Sequence, residues 1–371
     1  MFVEGAFAAG GRPVTRLEGL LLGAGARLDR FVLDLFVRRS PFAIPADGPA
    51  LRARLGRGRA FYGDLRPPGD PATFFVPPAP LRAHLHRRSS LADGAVWDVA
   101  YTTDFAPVFP EAREDAAGTA VLQPGRARWW RHRRPGHPAM LCVHGYGGGN
   151  FLLEQLAFEA SRFYRAGVDV LLYVLPYHGT RTPRGTGRSG ERFFDIDLVR
   201  TNEAFAQAIY ELRALLRYLR AWGTGPVGAF GMSLGGYVTA LLASIEPELA
   251  FAVPMIPLVS LTDMMWAEGE GDPRLARAIE HGWSRVALRD FFAVHDPLER
   301  PPLVPPARRL IIAALGDRIC PPDHAMALWQ HWERPRIHWY PGGHLAQFRR
   351  GTALREVRTL LRDAGLIARS H

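Results

Sequence analysis

A serine between glycines, at a predicted strand-to-helix turn, is the residue pattern with the clearest chemistry. Ser233 lies in the stretch Gly231-Met-Ser-Leu-Gly-Gly236, after an apolar run at 227–230 and before a helical pattern that begins at Tyr237. On such a turn the hydroxyl projects from the edge of a sheet, and flanking glycines avoid collisions with the neighbouring strand and helix. The pattern indicates a nucleophilic serine, although short matches of this kind also occur by chance.

Three further groups that could serve such a serine follow other predicted strands. His144–Gly149 is a glycine-rich loop after one apolar run, Asp317 follows a second run, and His344 comes directly after Trp339-Tyr-Pro-Gly-Gly343. In a doubly wound sheet, loops at the carboxyl ends of the strands lie along one edge and carry function. We therefore expect these groups to meet near Ser233.

The order serine, aspartate, histidine resembles that of the α/β-hydrolases, over about residues 95–364. The resemblance implies that Ser233 is the nucleophile and that His344 accepts its proton and returns it to the leaving group. It implies that Asp317 holds the imidazole in the useful tautomer. Asp263 is the alternative acid, since some members of the family supply this residue one strand earlier.

The resemblance also implies an oxyanion hole formed by the backbone N–H groups of Leu234 and Tyr146. The loop reads His-Gly-Tyr-Gly-Gly-Gly rather than His-Gly-Gly-Gly, so the hormone-sensitive-lipase-like carboxylesterases are a poor match. A weaker resemblance is to uncharacterised hydrolase-domain proteins with an N-terminal helical arm and a Pro-Tyr-x-Gly turn, here Pro176–Gly179. His144 is expected to orient its loop rather than transfer protons. Structural roles are expected for three other histidines: His178, His295 and His324. A position in the lining of the pocket is the alternative for His178.

Short apolar runs that alternate with helical patterns predict the elements that would position these residues. From residue 139 onward this alternation is typical of an α/β protein with a mainly parallel sheet and helices on both faces. Residues 260–306 interrupt it with a segment rich in aromatic residues and methionine, which predicts a cap. The predicted strands are 139–143, 168–175, 227–230, 251–257, 309–315 and 336–340, and the predicted helices are 151–165, 202–222, 322–332 and 353–364.

The chain is predicted to divide into an N-terminal helical and irregular extension, residues 1–92, and a hydrolase domain, residues 93–371. The domain is expected to begin with strands at 95–102 and 119–131, and the extension to carry a short helix near 50–55. Residues 17–37 show an amphipathic helical stripe, firmest over 26–37, which we expect to dock on the protein itself. A peripheral membrane or dimer contact through this stripe is the alternative. The pattern leaves the oligomeric state open.

Composition indicates a globular protein of 371 residues, with 47% hydrophobic and 22% charged residues. The net charge is +10, but all 46 basic residues are arginines scattered along the chain, so no nucleic-acid partner is predicted. The two cysteines, Cys142 and Cys320, have no metal-ligand spacing and form no disulfide framework. Neither a cofactor nor a metal is predicted. The chain shows no secretory signal and no apolar stretch of about 18 residues, which favours a cytoplasmic protein.

The sequence therefore predicts a serine hydrolase, esterase- or lipase-like, that cleaves a small-molecule ester of moderately apolar acyl character. An acyltransferase with the same three residues is the nearest alternative, because exclusion of water and admission of another acceptor would convert one into the other. A non-catalytic binding protein on the same fold is the alternative from a different class.

Overall fold

In the computed structural model the described residues are 19, 21–30, 49–118, 124–185, 187–194, 197–270, 273–348 and 350–368. Their strands are β1 (Arg82–Leu91), β2 (Gly94–Thr102), β3 (Gly125–His132), β4 (Ala139–Val143), β5 (Asp169–Tyr173), β6 (Val227–Met232), β7 (Ala252–Met255), β8 (Leu310–Ala314) and β9 (Arg336–Tyr340). These nine strands form one sheet in the order β1-β2-β3-β5-β4-β6-β7-β8-β9. Strands β1, β2, β3 and β5 pair antiparallel in turn, whereas β5, β4 and β6 to β9 run parallel.

The described helices are α1 (21–30), α2 (Pro49–Asp64), α3 (Pro110–Gly118), α4 (Phe151–Ala157), α5 (Ala160–Arg165), α6 (Leu198–Ala221), α7 (Leu234–Ile245), α8 (Leu261–Gly269), α9 (Pro273–Glu280), α10 (Arg285–Phe292), α11 (Pro322–His331) and α12 (Arg350–Asp363). Within this described part of the chain, no helix has the length and apolar character needed to cross a membrane.

The parallel strands are buried on both faces, which explains their continuous apolar sequences. In β4, Leu141 and Val143 belong to the core shared with α6, α7 and α11, whereas Met140 and Cys142 belong to the core shared with α5 and α12. Alternate side chains thus point into two helical layers. This arrangement confirms the predicted α/β class with helices on both faces of a mainly parallel sheet.

Two local features differ from the sequence-based expectations. The single helix predicted over 151–165 is two helices, because Glu159 adopts a left-handed conformation with φ of 47° between α4 and α5. Strand β1 was not predicted, since its arginine-rich sequence lies mostly exposed at the edge of the sheet. It forms a hairpin with β2, and the division predicted after residue 92 falls in the turn of this hairpin. The sheet therefore begins inside the predicted extension.

The segment 260–306 contains α8, α9 and α10 and packs against the N-terminal part of the chain. The Tyr62 ring of α2 lies 5.4 Å from the Phe291 ring of α10, measured between centroids. Arg59 Nη2 of α2 lies 2.6 Å from Asp290 Oδ2 of α10. Helix α2 is also longer than the short helix predicted near 50–55. The role of the segment as a cap stays a prediction.

Helix α1 falls within the predicted amphipathic stripe, of which residues 31–37 lie outside the described residues. Its buried side is formed by Gly25 and Asp29, whereas Ala24 and Leu28, which belong to the predicted apolar face, are exposed. Helix α1 does pack on the protein itself, as predicted, but Ala24 and Leu28 of the predicted apolar face do not form its packed side. A membrane or dimer contact through residues 17–37 stays a prediction.

Candidate active site

Ser233 occupies a strained turn between β6 and α7. Its backbone has φ of 57° and ψ of −116°, a conformation that is costly for a residue with a side chain. A Cβ atom at Gly231 would lie 1.9 Å from the Gly235 carbonyl oxygen, and one at Gly235 would lie 1.9 Å from the Val143 carbonyl oxygen. Both positions therefore require glycine, in agreement with the steric reason that the sequence pattern suggested. The turn leaves the Ser233 side chain half-buried at the carboxyl end of the sheet.

Asp317 and His344, at the carboxyl ends of β8 and β9, form a buried hydrogen-bonded pair. Their Oδ2 and Nδ1 atoms lie 2.7 Å apart. The other carboxylate oxygen of Asp317 accepts hydrogen bonds from the backbone N–H groups of Ile319, at 2.9 Å, and Cys320, at 2.7 Å. These two bonds fix the carboxylate, so His344 donates its Nδ1–H and keeps the Nε2 lone pair available when the ring is neutral.

The charge of Asp317 sets the protonation behaviour of His344. Burial alone lowers the pKa of the His344 imidazole, but the Asp317 carboxylate and its hydrogen bond outweigh burial and raise that pKa above its ordinary value. The imidazole is therefore a stronger base than a free histidine, which suits proton transfer from a hydroxyl group.

The buried Cys320 thiol lies near both Ser233 and His344. Burial raises the pKa of this thiol, which keeps it protonated at neutral pH. This position of Cys320 could not be predicted, because a lone cysteine after the acid turn carries no spacing signal.

The glycine-rich loop after β4 passes beside Ser233. A Cβ atom at Gly145 would lie 3.3 Å from Ser233 Cβ and 3.8 Å from its Oγ, so the backbone of the loop lies in contact with the serine. Tyr146 is the next residue, and Leu234 is the first residue of α7 after Ser233. Tyr146 and Leu234 therefore occupy the positions in the sequence that are expected of oxyanion-hole donors. Their role as donors stays a prediction.

His144 holds this loop in place. Its Nε2 accepts a hydrogen bond from the Leu175 backbone N–H at 3.1 Å, which leaves Nδ1–H to donate to the Gly145 carbonyl at 2.7 Å. Burial lowers the pKa of His144 to about 4, so the ring stays neutral at physiological pH. These contacts agree with an orienting role rather than proton transfer.

Asp263, the alternative acid, has a different partner. It belongs to α8 and forms an ion pair with Arg285 in which the Asp263 side chain is 42% exposed. The carboxylate that meets the His344 ring is that of Asp317.

The remaining predicted histidines have structural contacts. His324 Nδ1 accepts the Val259 backbone N–H at 3.1 Å, and His295 binds the Tyr237 hydroxyl at 2.8 Å and the Asn202 side chain at 3.0 Å. His178 is buried, donates to the Pro176 carbonyl and stacks edge-on to Tyr146.

Asp29 of α1 was not anticipated by the sequence. Its side chain is fully buried, and its carboxylate accepts the backbone N–H of His344 at 2.6 Å. A single aspartate separated from His344 by more than three hundred residues leaves no motif that could have identified it.

Comparison with known proteins places this chain in a family. A sequence model of the family described as "Alpha/beta hydrolase domain containing 18" matches residues 72–277, a stretch that includes Tyr146 and Ser233 and ends before Asp317 and His344. An uncharacterised protein of Mycobacterium tuberculosis, Rv2627c, is 30% identical over an alignment of 375 residues. The alignment covers 96% of this chain and 85% of that protein.

Two solved structures are similar in fold. Acetyl xylan esterase 1 from Thermoanaerobacterium sp. JW/SL YS485 gives a TM-score of 0.54 at 17% identity and covers 87% of this chain and 100% of its own. An acetyl xylan esterase from Paenibacillus sp. R4 gives a TM-score of 0.55 at 17% identity, covering 81% of this chain and 93% of its own. This likeness confirms the predicted α/β-hydrolase fold.

Proposed function

The chain belongs to the family described as alpha/beta hydrolase domain containing 18, and on that premise we propose that it is a serine hydrolase that cleaves carboxylic esters. The observation that carries the proposal is the buried Asp317–His344 hydrogen bond, which forms at the same edge of the sheet as a serine held in a strained turn. Strain of this kind persists only where the surrounding structure enforces it, and it is concentrated at functional sites.

In the first half of the proposed reaction, Ser233 Oγ attacks the ester carbonyl carbon while its proton passes to His344 Nε2. The carbonyl oxygen becomes an oxyanion that the backbone N–H groups of Leu234 and Tyr146 would bind. The bond to the alcohol oxygen then breaks, and His344 returns the proton to that oxygen. Asp317 stabilises the imidazolium during this step.

In the second half, water attacks the acyl group on Ser233 and gives its proton to His344. The bond between the acyl carbon and Ser233 Oγ breaks, and the proton returns to the serine. The carboxylic acid leaves, and the enzyme is restored with all atoms and protons accounted for. An alcohol or thiol in place of water would give acyl transfer through the same acyl-enzyme.

The helix that follows the carboxyl end of β7, the strand between β6 and β8 in the sheet, supports a moderately apolar acyl group. Helix α8 begins six residues after β7 ends. It carries half-buried Met264, Met265 and Trp266, which pack against the core shared with α6, α7 and α11. Side chains of this kind favour hydrocarbon over charged groups.

A fluorophosphonate probe tests the proposal, because it reacts with serines activated by a neighbouring base. We expect wild type to be labelled and Ser233→Ala to lose the label. Ser90→Ala is the matched control, since Ser90 is exposed on the edge strand β1, and it should label like wild type. Absence of label on folded wild type would contradict both hydrolysis and acyl transfer. Ester turnover with and without an added alcohol then separates these two reactions.

A further inference from the structure

Helix α1 lies against both loops that carry the proposed acid and base. A Cβ atom at Gly25 would lie 2.5 Å from the Gly343 backbone nitrogen, and one at Gly316 would lie 3.1 Å from the Leu22 carbonyl oxygen. The first distance leaves no room for a side chain, and the second is tighter than an ordinary contact. In the reverse direction, a Cβ atom at Gly343 would lie 2.8 Å from the Gly25 carbonyl carbon. The helix therefore packs backbone to backbone against the turn before Asp317 and the turn before His344.

The Asp29 carboxylate binds these two loops together. Its Oδ2 accepts the backbone N–H of His344 at 2.6 Å and that of Arg318 at 3.2 Å, and its Oδ1 accepts that of Leu345 at 3.0 Å. The Asp29 side chain thus binds the backbone of Arg318, which follows the proposed acid, and the backbones of His344 and Leu345.

These contacts are directional, and the one to His344 is buried, so they hold the loops more firmly than apolar packing would. Hydrogen bonds from backbone N–H groups to a carboxylate are stronger than neutral ones. Loss of the carboxylate would leave the buried N–H group of His344 unsatisfied, which costs free energy and favours rearrangement of the loops. The two loops are adjacent, since the Gly316 N–H also donates to the Gly342 carbonyl at 2.8 Å.

We propose that Asp29 is a positioning residue for catalysis, through which helix α1 sets the alignment of His344 against Asp317. This inference rests on the proposed function of Ser233, Asp317 and His344. It makes helix α1, which belongs to the predicted N-terminal extension, a part of the active-site structure. Asp29 touches neither the substrate nor the reacting atoms and acts only through the His344 loop.

The proposal predicts a fall in turnover without a change in substrate binding. A misplacement of about 1 Å can cost about 100-fold in rate, so Asp29→Asn should lower kcat by about 10- to 100-fold. Asparagine keeps the size of the side chain but replaces one acceptor oxygen with a donor group that repels the N–H it faces. KM should remain close to that of wild type.

Two glycines of α1 provide a matched pair that leaves the carboxylate in place. Gly25→Ala would force α1 away from Gly343, whereas a Cβ atom at Gly23 meets nothing within 4 Å. We expect Gly25→Ala to lower kcat like Asp29→Asn, and Gly23→Ala to behave like wild type. Leu28→Ala, at a side chain 43% exposed on the same helix, is a further control.

The test combines kinetics with proton NMR of the Nδ1–H that His344 donates to Asp317, a downfield signal that does not depend on substrate. The proposal expects this signal to weaken in Asp29→Asn and Gly25→Ala and to persist in Gly23→Ala and Leu28→Ala. Folded Asp29→Asn and Gly25→Ala with wild-type kcat and signal would overturn it. If Asp29→Asn does not fold, Gly25→Ala decides.

This design separates the inference from the function on which it rests. Wild type without Ser233-dependent turnover would refute the hydrolase, whereas the NMR comparison would still report on Asp29. A signal that survives in both variants would refute the positioning role even if the enzyme hydrolyses esters.

Discussion

Two buried carboxylate clusters in this molecule use the same chemical group in different ways. At Glu211 of α6, the carboxylate forms a two-point ion pair with Arg181, at 2.7 and 2.8 Å, in which both side chains are at most 2% exposed. It also accepts hydrogen bonds from three further side chains: Tyr101, Tyr173 and Gln207. At His344, the Asp317 and Asp29 carboxylates bind backbone N–H groups and one imidazole.

The partners decide what each cluster can do. Arginine stays protonated at any physiological pH, so the Glu211 cluster holds one charge state and ties α6 to the loop after β5. Histidine titrates near neutral pH, and its second nitrogen remains on the side of the ring away from Asp317. The comparison teaches that a buried carboxylate stabilises structure when its partner has a fixed charge, and can support proton transfer when its partner titrates.

The largest expected effect concerns the cluster at His344, whose imidazole titrates. Asp317→Asn should lower kcat by about 10⁴-fold, because the amide favours the wrong tautomer of His344 and cannot stabilise the imidazolium. The measurement is turnover of a p-nitrophenyl ester by protein whose fold is verified by circular dichroism. Asp263→Asn is the control and should keep wild-type turnover. The reverse outcome would transfer the acid role to Asp263 and refute our assignment.

A change in the Glu211 cluster, whose arginine has a fixed charge, should lower the stability of the protein instead of its turnover. Glu211→Gln leaves the Arg181 guanidinium buried without its counter-charge, which should lower the free energy of unfolding by about 3–5 kcal/mol. Urea unfolding measures this change, and kcat per folded molecule should stay near wild type. Glu248→Gln is the matched control, because Glu248 pairs with Arg220 at the surface, where its side chain is 56% exposed. Equal effects of the two changes would contradict the contrast between the clusters.

The smallest expected effect is a shift of the pH–rate profile. His344 must be neutral to act as a base, so activity should fall as pH drops through its pKa, which Asp317 raises above the ordinary value of about 6.5. In Asp317→Asn the raising charge is gone and burial remains, so the acid limb of kcat/KM should move to lower pH. His144, with a pKa of about 4, is neutral throughout this range and should not contribute. An unmoved limb would argue that another group controls it.

Much of the site was predictable because its demands are local. The glycines around Ser233, the loop after His144 and the turns before Asp317 and His344 each leave a signal within a few residues. The α/β alternation was readable for the same reason, since strands buried on both faces must be apolar throughout.

The remaining features depend on contacts between distant parts of the chain. Asp29 binds the backbone of His344 across 315 residues of sequence, and Cys320 comes near Ser233 through the folded turn after β8. Strand β1 is exposed at the edge of the sheet and so carries little hydrophobic pattern. The break at Glu159 arises from one left-handed residue within an otherwise helical sequence.

The most direct test of the account is the identity of the acylated atom. Rapid-quench mass spectrometry of the enzyme with an ester substrate should reveal a transient acyl group on the peptide that contains Ser233, absent in Ser233→Ala. The neighbouring Cys320 thiol is the competing nucleophile, so its peptide provides an internal comparison. Ester turnover with the acyl group on Cys320, or with no acyl-enzyme and no dependence on Ser233, would contradict the account.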